Sequence, residues 1–161
     1  MNLWAPWRMG YILREETEGC IFCEKPKRGE DARNFIVERG EQCYAILNLY
    51  PYSNGHTLVA PYRHIARMQD LSAEERDEMM HIAQRLVEAL GGCLHADGFN
   101  VGLNQGRIAG AGIDQHLHLH VVPRWQGDTN FMPVISAAKV IPQSLEETYR
   151  VLTEALKECG I

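Results

Sequence analysis

Apolar residues recur along this chain with two different periods, and the change of period divides it into candidate strands and helices. "FIVER" (35–39) and "CYAILNL" (43–49) are short, rich in β-branched and aromatic residues, and read as strands. "YPYSNG" (50–55) reads as a turn, because Pro51 and the Asn54-Gly55 pair suit turn geometry, and "HTLVAP" (56–61) as the returning strand of a hairpin. From Ser72 the period becomes helical, with Met79, Ile82, Ala83, Leu86, Val87 and Leu90 on one face. Ser72 with Glu75 is a capping-box signature for its start, and Gly91-Gly92 predicts its end. "FNVGL" (99–103) and "HLHLHVV" (116–122) read as two further strands, joined by a glycine-rich loop from Asn104 to Gly112. Ser144 and Glu147 repeat the capping signature; Tyr149, Leu152, Leu156 and Cys159 give the last helix an apolar stripe, and Gly160 predicts its stop. Residues 1–30 follow neither period and predict an irregular N-terminal arm containing a Cys-x-x-Cys turn. Antiparallel strands with helices set apart from them predict an α+β fold, a sheet carrying a central helix and a C-terminal helix.

The length of 161 residues suits one domain spanning 1–161 with a proper hydrophobic core. A formal charge of −5 argues against a general nucleic-acid or membrane-surface binder, while leaving room for a small anion at a local site. "MNLWAPWRMGYI" lacks the basic start and continuous apolar core of an export signal, and no apolar run approaches the ~20 residues of a membrane helix. Five cysteines, an odd number without an export signal, suit reduced thiols and a cytoplasmic protein.

Strand alternation changes the meaning of "HLHLHVV". It sets His116, His118 and His120 on one face and Leu117, Leu119 and Val121 on the other, where they can join a core. At the usual rise the outer imidazoles stand about 13 Å apart. Solvated strand faces mix Lys, Glu, Thr and Ser, so three alternating histidines call for a stronger cause: a metal site, or chemistry on a phosphate. The preceding loop favours phosphate, because Gly106, Gly110 and Gly112 let backbone N–H groups approach an anion closely. A flexible hairpin is the bland alternative for that loop. Cys20 and Cys23 in "GCIFCEK" have the spacing of a zinc half-site; a redox reading would need a thioredoxin-like βαβ context, which the pattern lacks.

Together these segments resemble the histidine triad nucleotide hydrolases and transferases. "HLHLHVV" matches their His-φ-His-φ-His-φ-φ motif (φ apolar), "AILNLYPYSNGHTLVAPYRH" their hairpin and "NQGRIAGAG" their phosphate loop. "LWAPWRMGYI" and "VVPRWQGDTNFMPVI", which includes Arg124, resemble the diadenosine tetraphosphate phosphorylase-like branch. The resemblance implies the fold of that family and a nucleotide substrate, an adenine dinucleoside polyphosphate or AMP derivative. It implies that His118 attacks the α-phosphorus and carries the nucleoside monophosphate until water or inorganic phosphate takes it. A neutral imidazole suits this, provided its other nitrogen donates to a fixed acceptor. By the same resemblance His116 and His120 are expected to flank the nucleophile, and His56 and His120 to line the phosphate site. Asn48 is expected to face the ribose hydroxyls, Asn104 and Gln105 to lie near the phosphates, and Gly110, Ala111 and Gly112 to supply backbone N–H groups. The resemblance also completes the zinc set as Cys20, Cys23, His64 and His116, a closed and structural Cys₂His₂ site. It implies a homodimer and no organic cofactor. A nucleoside phosphoramidase or other nucleotidyl transferase is the second enzymatic expectation; a zinc-stabilised nucleotide-binding module without turnover is a third, of another class. One departure stands out: Ile113 occupies a place where many relatives carry a hydroxyl, so backbone N–H groups of Ala111 and Gly112 would have to replace it. Cys43 and Cys93 are expected as core thiols, His81 as solvated, and His95 in a local structural role.

Overall fold

The computed structural model of this chain describes residues 19–128 and 140–159. The expected stop at Gly160, the segment 3–12 and residues 129–135 lie outside the described residues. Five strands form one antiparallel sheet in the order β1-β2-β3-β5-β4. They are β1 (Ile36–Arg39), β2 (Cys43–Leu47), β3 (Thr57–Pro61), β4 (Gly98–Leu103) and β5 (Leu119–Arg124). The α+β architecture expected from the two periods is therefore present.

The β2–β3 hairpin is in register from Leu47 opposite Thr57 to Cys43 opposite Pro61, and every residue of both strands is buried. Strands covered on both faces read as unbroken apolar runs, which is why "CYAIL" shows no alternation. Gly55 takes φ +74° in the connecting turn, and a Cβ there would lie 2.6 Å from Leu94 Cδ1. Only glycine meets both demands.

Helix α3 (Ala73–Leu94) lies across one face. The Ser72 hydroxyl accepts from the Glu75 N–H at 3.1 Å, and a Glu75 carboxylate oxygen accepts from the Ser72 N–H at 2.8 Å, closing the expected capping box. Met79, Ile82, Leu86 and Leu90 pack on Leu47, Val59, Leu119 and Val121, together with Leu152 and Leu156 of α4 (Leu145–Glu158). Contrary to expectation, Gly91-Gly92 does not end α3; the helix runs to Leu94, and His95 closes it at φ 51°. Two helical glycines cost roughly 2 kcal/mol relative to alanine. The packing of Leu90 and Leu94 on the core offsets this.

The other face carries a second cluster of Phe22, Ile36, Tyr44, Ile46, Leu58 and Ala60. Phe22 belongs to α1 (Ile21–Lys27), a helix within the arm that was expected to be irregular, followed by the four-residue α2 (Asp31–Asn34). The strand expected over 116–122 also begins later, at Leu119. Its ladder with β3 stops at the Val59–Leu119 pair. Continuing it would bring Leu117 opposite Pro61, which has no N–H to give. Instead, the Leu117 N–H donates to the Ile65 carbonyl at 2.6 Å.

Candidate active site and metal centre

The break at Pro61 frees the segment carrying His116 and His118 for other bonds. Pro61 retains its carbonyl, and His116 Nε2–H donates to it at 2.9 Å. A carbonyl only accepts, so Nε2 holds the ring proton and Nδ1 holds the lone pair. That lone pair faces the thiols of Cys20 at 3.3 Å and Cys23 at 3.5 Å. His64 Nδ1 lies 3.3 Å from the Cys23 thiol. The four ligand atoms of Cys20, Cys23, His64 and His116 all lie within 4.8 Å of one another. Zinc bond lengths of about 2.3 Å to sulfur and 2.0–2.1 Å to nitrogen, at tetrahedral angles, put neighbouring S and N about 3.5 Å apart. The donor set and its spacing fit Zn²⁺. The Pro61 carbonyl on the far nitrogen of His116 is the kind of outer partner that orients a ligating imidazole. Burial, and then the Cys20 neighbour, push the Cys23 thiol above its ordinary pKa; a bound cation would reverse that by taking the thiolate.

Two residues further on, His118 Nδ1–H donates to the His116 carbonyl at 2.8 Å. The same reasoning fixes its tautomer and leaves the Nε2 lone pair unprotonated. Burial holds this imidazole below its ordinary pKa, against the opposing pull of that carbonyl. The Phe22 ring stacks on it, with centroids 4.8 Å apart at 29°. Leu117, Leu119 and Val121 are buried, the latter two in the core under α3.

His120 pairs with Leu58 on one side and with Gly102 on the other. Its Nδ1 lies 2.9 Å from His56 Nε2. His56 Nδ1 receives the Tyr52 backbone N–H at 3.0 Å, so it accepts and Nε2 of His56 must carry the proton. That proton goes to His120 Nδ1, and His120 is left with its own N–H on Nε2. Among the described residues this buried donor has no partner. Burial, helped by His118 nearby, pushes the His120 imidazole down to about 4, so it is neutral at pH 7. A cleft of about 390 Å³ begins at His120 and Tyr52 and extends past Asn104 and Asn100 to Arg124.

The remaining expected residues fall as follows. Asn48 closes the hairpin, its Oδ1 accepting from the Tyr50 N–H at 2.9 Å and its amide lying 3.3 Å from His56 Nδ1. Asn104 borders the cleft, while Gln105 Oε1 accepts from the Met68 N–H at 2.8 Å, tying the glycine loop to a neighbouring turn. Within that loop Gly106 and Gly110 take positive φ. The N–H groups of Gly110 and Ala111 turn back to the carbonyls of Arg107 and Gly106, so the loop is partly closed on itself; Gly112 N–H has no partner among the described residues. Ile113 packs on the second cluster. Arg124 is held by Asp128 and Asn100. Cys43 is a buried core thiol, Cys93 is half-buried beside the core, His81 is exposed, and His95 caps α3. Sequence reasoning missed Phe22 and Tyr52. The aromatic between the two cysteines was the only local sign of the first, and the backbone N–H that fixes His56 leaves no side-chain signal at all.

Residues 29–127 match the HIT domain family. An "AP-4-A phosphorylase" of Mycobacterium tuberculosis is 42% identical over 160 residues, covering 94% of this chain and 82% of that protein. An "adenosine 5′-monophosphoramidase" of Saccharomyces cerevisiae is 34% identical over 105 residues, covering 65% of this chain and 62% of that protein. The crystal structure of a zinc-bound histidine triad family protein from Mycobacterium smegmatis superposes with a TM-score of 0.68 at 33% identity, covering 87% of this chain and 94% of that one. By motif, fold and kinship, this chain belongs to the HIT domain family.

Proposed function

We propose that the protein is a nucleotide-processing enzyme that cleaves dinucleoside polyphosphates of the diadenosine tetraphosphate kind through a nucleotide held covalently on His118. The observation that carries this reading is the 2.8 Å hydrogen bond from His118 Nδ1–H to the His116 carbonyl, which keeps the Nε2 lone pair available. His118 Nε2 attacks the α-phosphorus; the N–P bond forms and the P–O bond to the polyphosphate breaks. The departing polyphosphate is a stable anion and needs no proton. The partnerless Nε2–H of His120 suits a phosphoryl oxygen as that charge develops, with the N–H of Gly112 as a second donor. His56 keeps His120 in the donating tautomer. Asn48 lies on the hairpin where the ribose of the transferred nucleotide is expected, and Asn104 borders the cleft where the phosphates would lie, while Gln105 anchors the loop to the Met68 turn. Cys20, Cys23, His64 and His116 would hold a zinc ion, which supplies structural cross-linking and no chemistry on the phosphate.

An acceptor oxygen then attacks the phosphorus and breaks the N–P bond. Water yields AMP; inorganic phosphate yields ADP. The kinship to an AP-4-A phosphorylase, and the cleft leading from His120 towards Arg124, support phosphate as acceptor. The experiment is incubation with diadenosine tetraphosphate, with and without millimolar phosphate. ADP and ATP as main products are expected; AMP with no ADP at saturating phosphate would make the enzyme a hydrolase. The kinship to an adenosine 5′-monophosphoramidase supports a second reading, cleavage of a P–N bond by the same nucleophile. Faster turnover of adenosine 5′-phosphoramidate than of the dinucleotide would favour it.

A further inference from the structure

We propose that Phe22 is a positioning residue for the His118 imidazole, carried between the two thiols of the metal set so that filling the set holds the nucleophile's ring in place. The proposal rests on the reading of His118 as the nucleophile.

A single hydrogen bond, from Nδ1–H to the His116 carbonyl, restrains one edge of the His118 ring but leaves it the arc of tilt that the bond tolerates. Rotation about the bond to an sp² ring is soft and roughly two-fold. A wall against the ring face is needed to keep Nε2 aimed. Phe22 supplies it: its ring stacks on His118 at 4.8 Å and 29°, and also meets His116 at 5.2 Å. It is 1% exposed. An aromatic wall brings no hydrogen-bonding group, so it does not compete for the lone pair that must attack.

What holds the wall is not the helix that carries it. A seven-residue helix has almost no stability of its own. Its place is set from outside, by the Tyr44 hydroxyl donating to the Phe22 carbonyl at 2.8 Å and by the thiols of Cys20 and Cys23 against His64 and His116. Cys20 is the N-cap of this helix and Cys23 lies in its first turn, so both thiols bracket Phe22. The same His116 that meets those thiols through Nδ1 offers its carbonyl to His118. Both restraints on the nucleophile therefore trace back to the donor set: the hydrogen bond through His116, and the ring wall through Phe22.

Phe22 also belongs to an apolar cluster, so the test must separate positioning from mere filling. Phe22→Leu and Phe22→Met keep apolar bulk and remove the ring. Imidazole nitrogen resonances of His118 are recorded without substrate, beside zinc content, kcat and KM. In the wild type a single tautomer, protonated on Nδ1, is expected. In both variants the signals should broaden or mix, and kcat should fall about 10- to 100-fold with KM within threefold and zinc content unchanged. Cys20→Ser, with Phe22 intact, should disturb the same resonances. A wild-type His118 spectrum with kcat within threefold in Phe22→Leu or Phe22→Met would overturn the positioning role. An undisturbed spectrum in Cys20→Ser would overturn the link to the donor set. The two Phe22 variants guard against failure of either one to fold. The resonances need no turnover, so they report on Phe22 whatever the reaction is. Wild-type protein quenched during turnover that carries no nucleoside monophosphate mass on His118 would count instead against the nucleophile itself.

Discussion

The hydrogen bonds at His118 and His120 assign opposite jobs to two residues of the same type. One presents a lone pair on Nε2 and the other a proton on Nε2, and in each case the assignment comes from what the far nitrogen faces. His118→Ala should therefore lower kcat by at least about 10⁴-fold, about 5.5 kcal/mol of transition-state stabilisation, with nucleotide binding retained. Steady-state kinetics beside ligand titration checks this; activity within tenfold of wild type would exclude the covalent route. His120 carries a pH signature. It titrates near 4 when folded and about 6.5 when unfolded, so the unfolded chain takes up a proton that the folded chain refuses. Its contribution to stability is full above about pH 6.5 and lost as pH falls from there towards 4, up to about 3 kcal/mol. Thermal melts of wild type and His120→Asn should converge over that window as the pH is lowered. A constant difference would mean that His120 is not held neutral. The spacing of the triad histidines was legible in the sequence, but their tautomers were not. Those depend on Pro61, Tyr52 and the His116 carbonyl, and the first two approach only when distant segments meet.

At the scale of elements, what is locally encoded was readable. The capping box at Ser72 and the hairpin around Gly55 arise from residues a few places apart, and both lie close to their expected positions. The expectations that failed all involve a remote partner. Gly91-Gly92 stays helical because Leu90 and Leu94 pack on the sheet, and α1 forms in an arm without helical period because the sheet face and the cysteine set receive it. The late start of β5 reflects the missing N–H of a proline on another strand. Helix α1 is also where metal should matter most. Purified protein should contain about one zinc per chain, and chelation should lower the melting temperature by at least about 4 °C, corresponding to about 2 kcal/mol for a chain of this size. Metal analysis and calorimetry test this; a metal-free protein with an unchanged melt in chelator would refute it.

Across the whole molecule, the sheet separates labour between its faces. One face packs on α3 and α4 and supplies stability; the other receives α1 and carries the histidines. No helix among the described residues is long and apolar enough to cross a membrane. The fold class followed from pattern alone. The meeting of Cys20, Cys23, His64 and His116 required a resemblance, since no spacing rule links residues so far apart. The choice between water and phosphate as acceptor is energetically fine, because a tenfold preference is only about 1.4 kcal/mol and one side chain can reverse it.

The proline at the end of β3 has a consequence for how the molecule breathes. It divides the triad between the ladder and the segment before it, and the two should open separately. His120 lies within the central ladder, so its surroundings open only when the sheet itself does, whereas Leu117 is fastened by one bond to Ile65, next to the cysteine set. Amide exchange should distinguish them: the Val121 N–H should exchange at the rate of global unfolding, and Leu117 through a smaller fluctuation. Chelation should speed the exchange of Leu117 by at least about tenfold more than that of Val121, and equal acceleration would mean that the two halves open together.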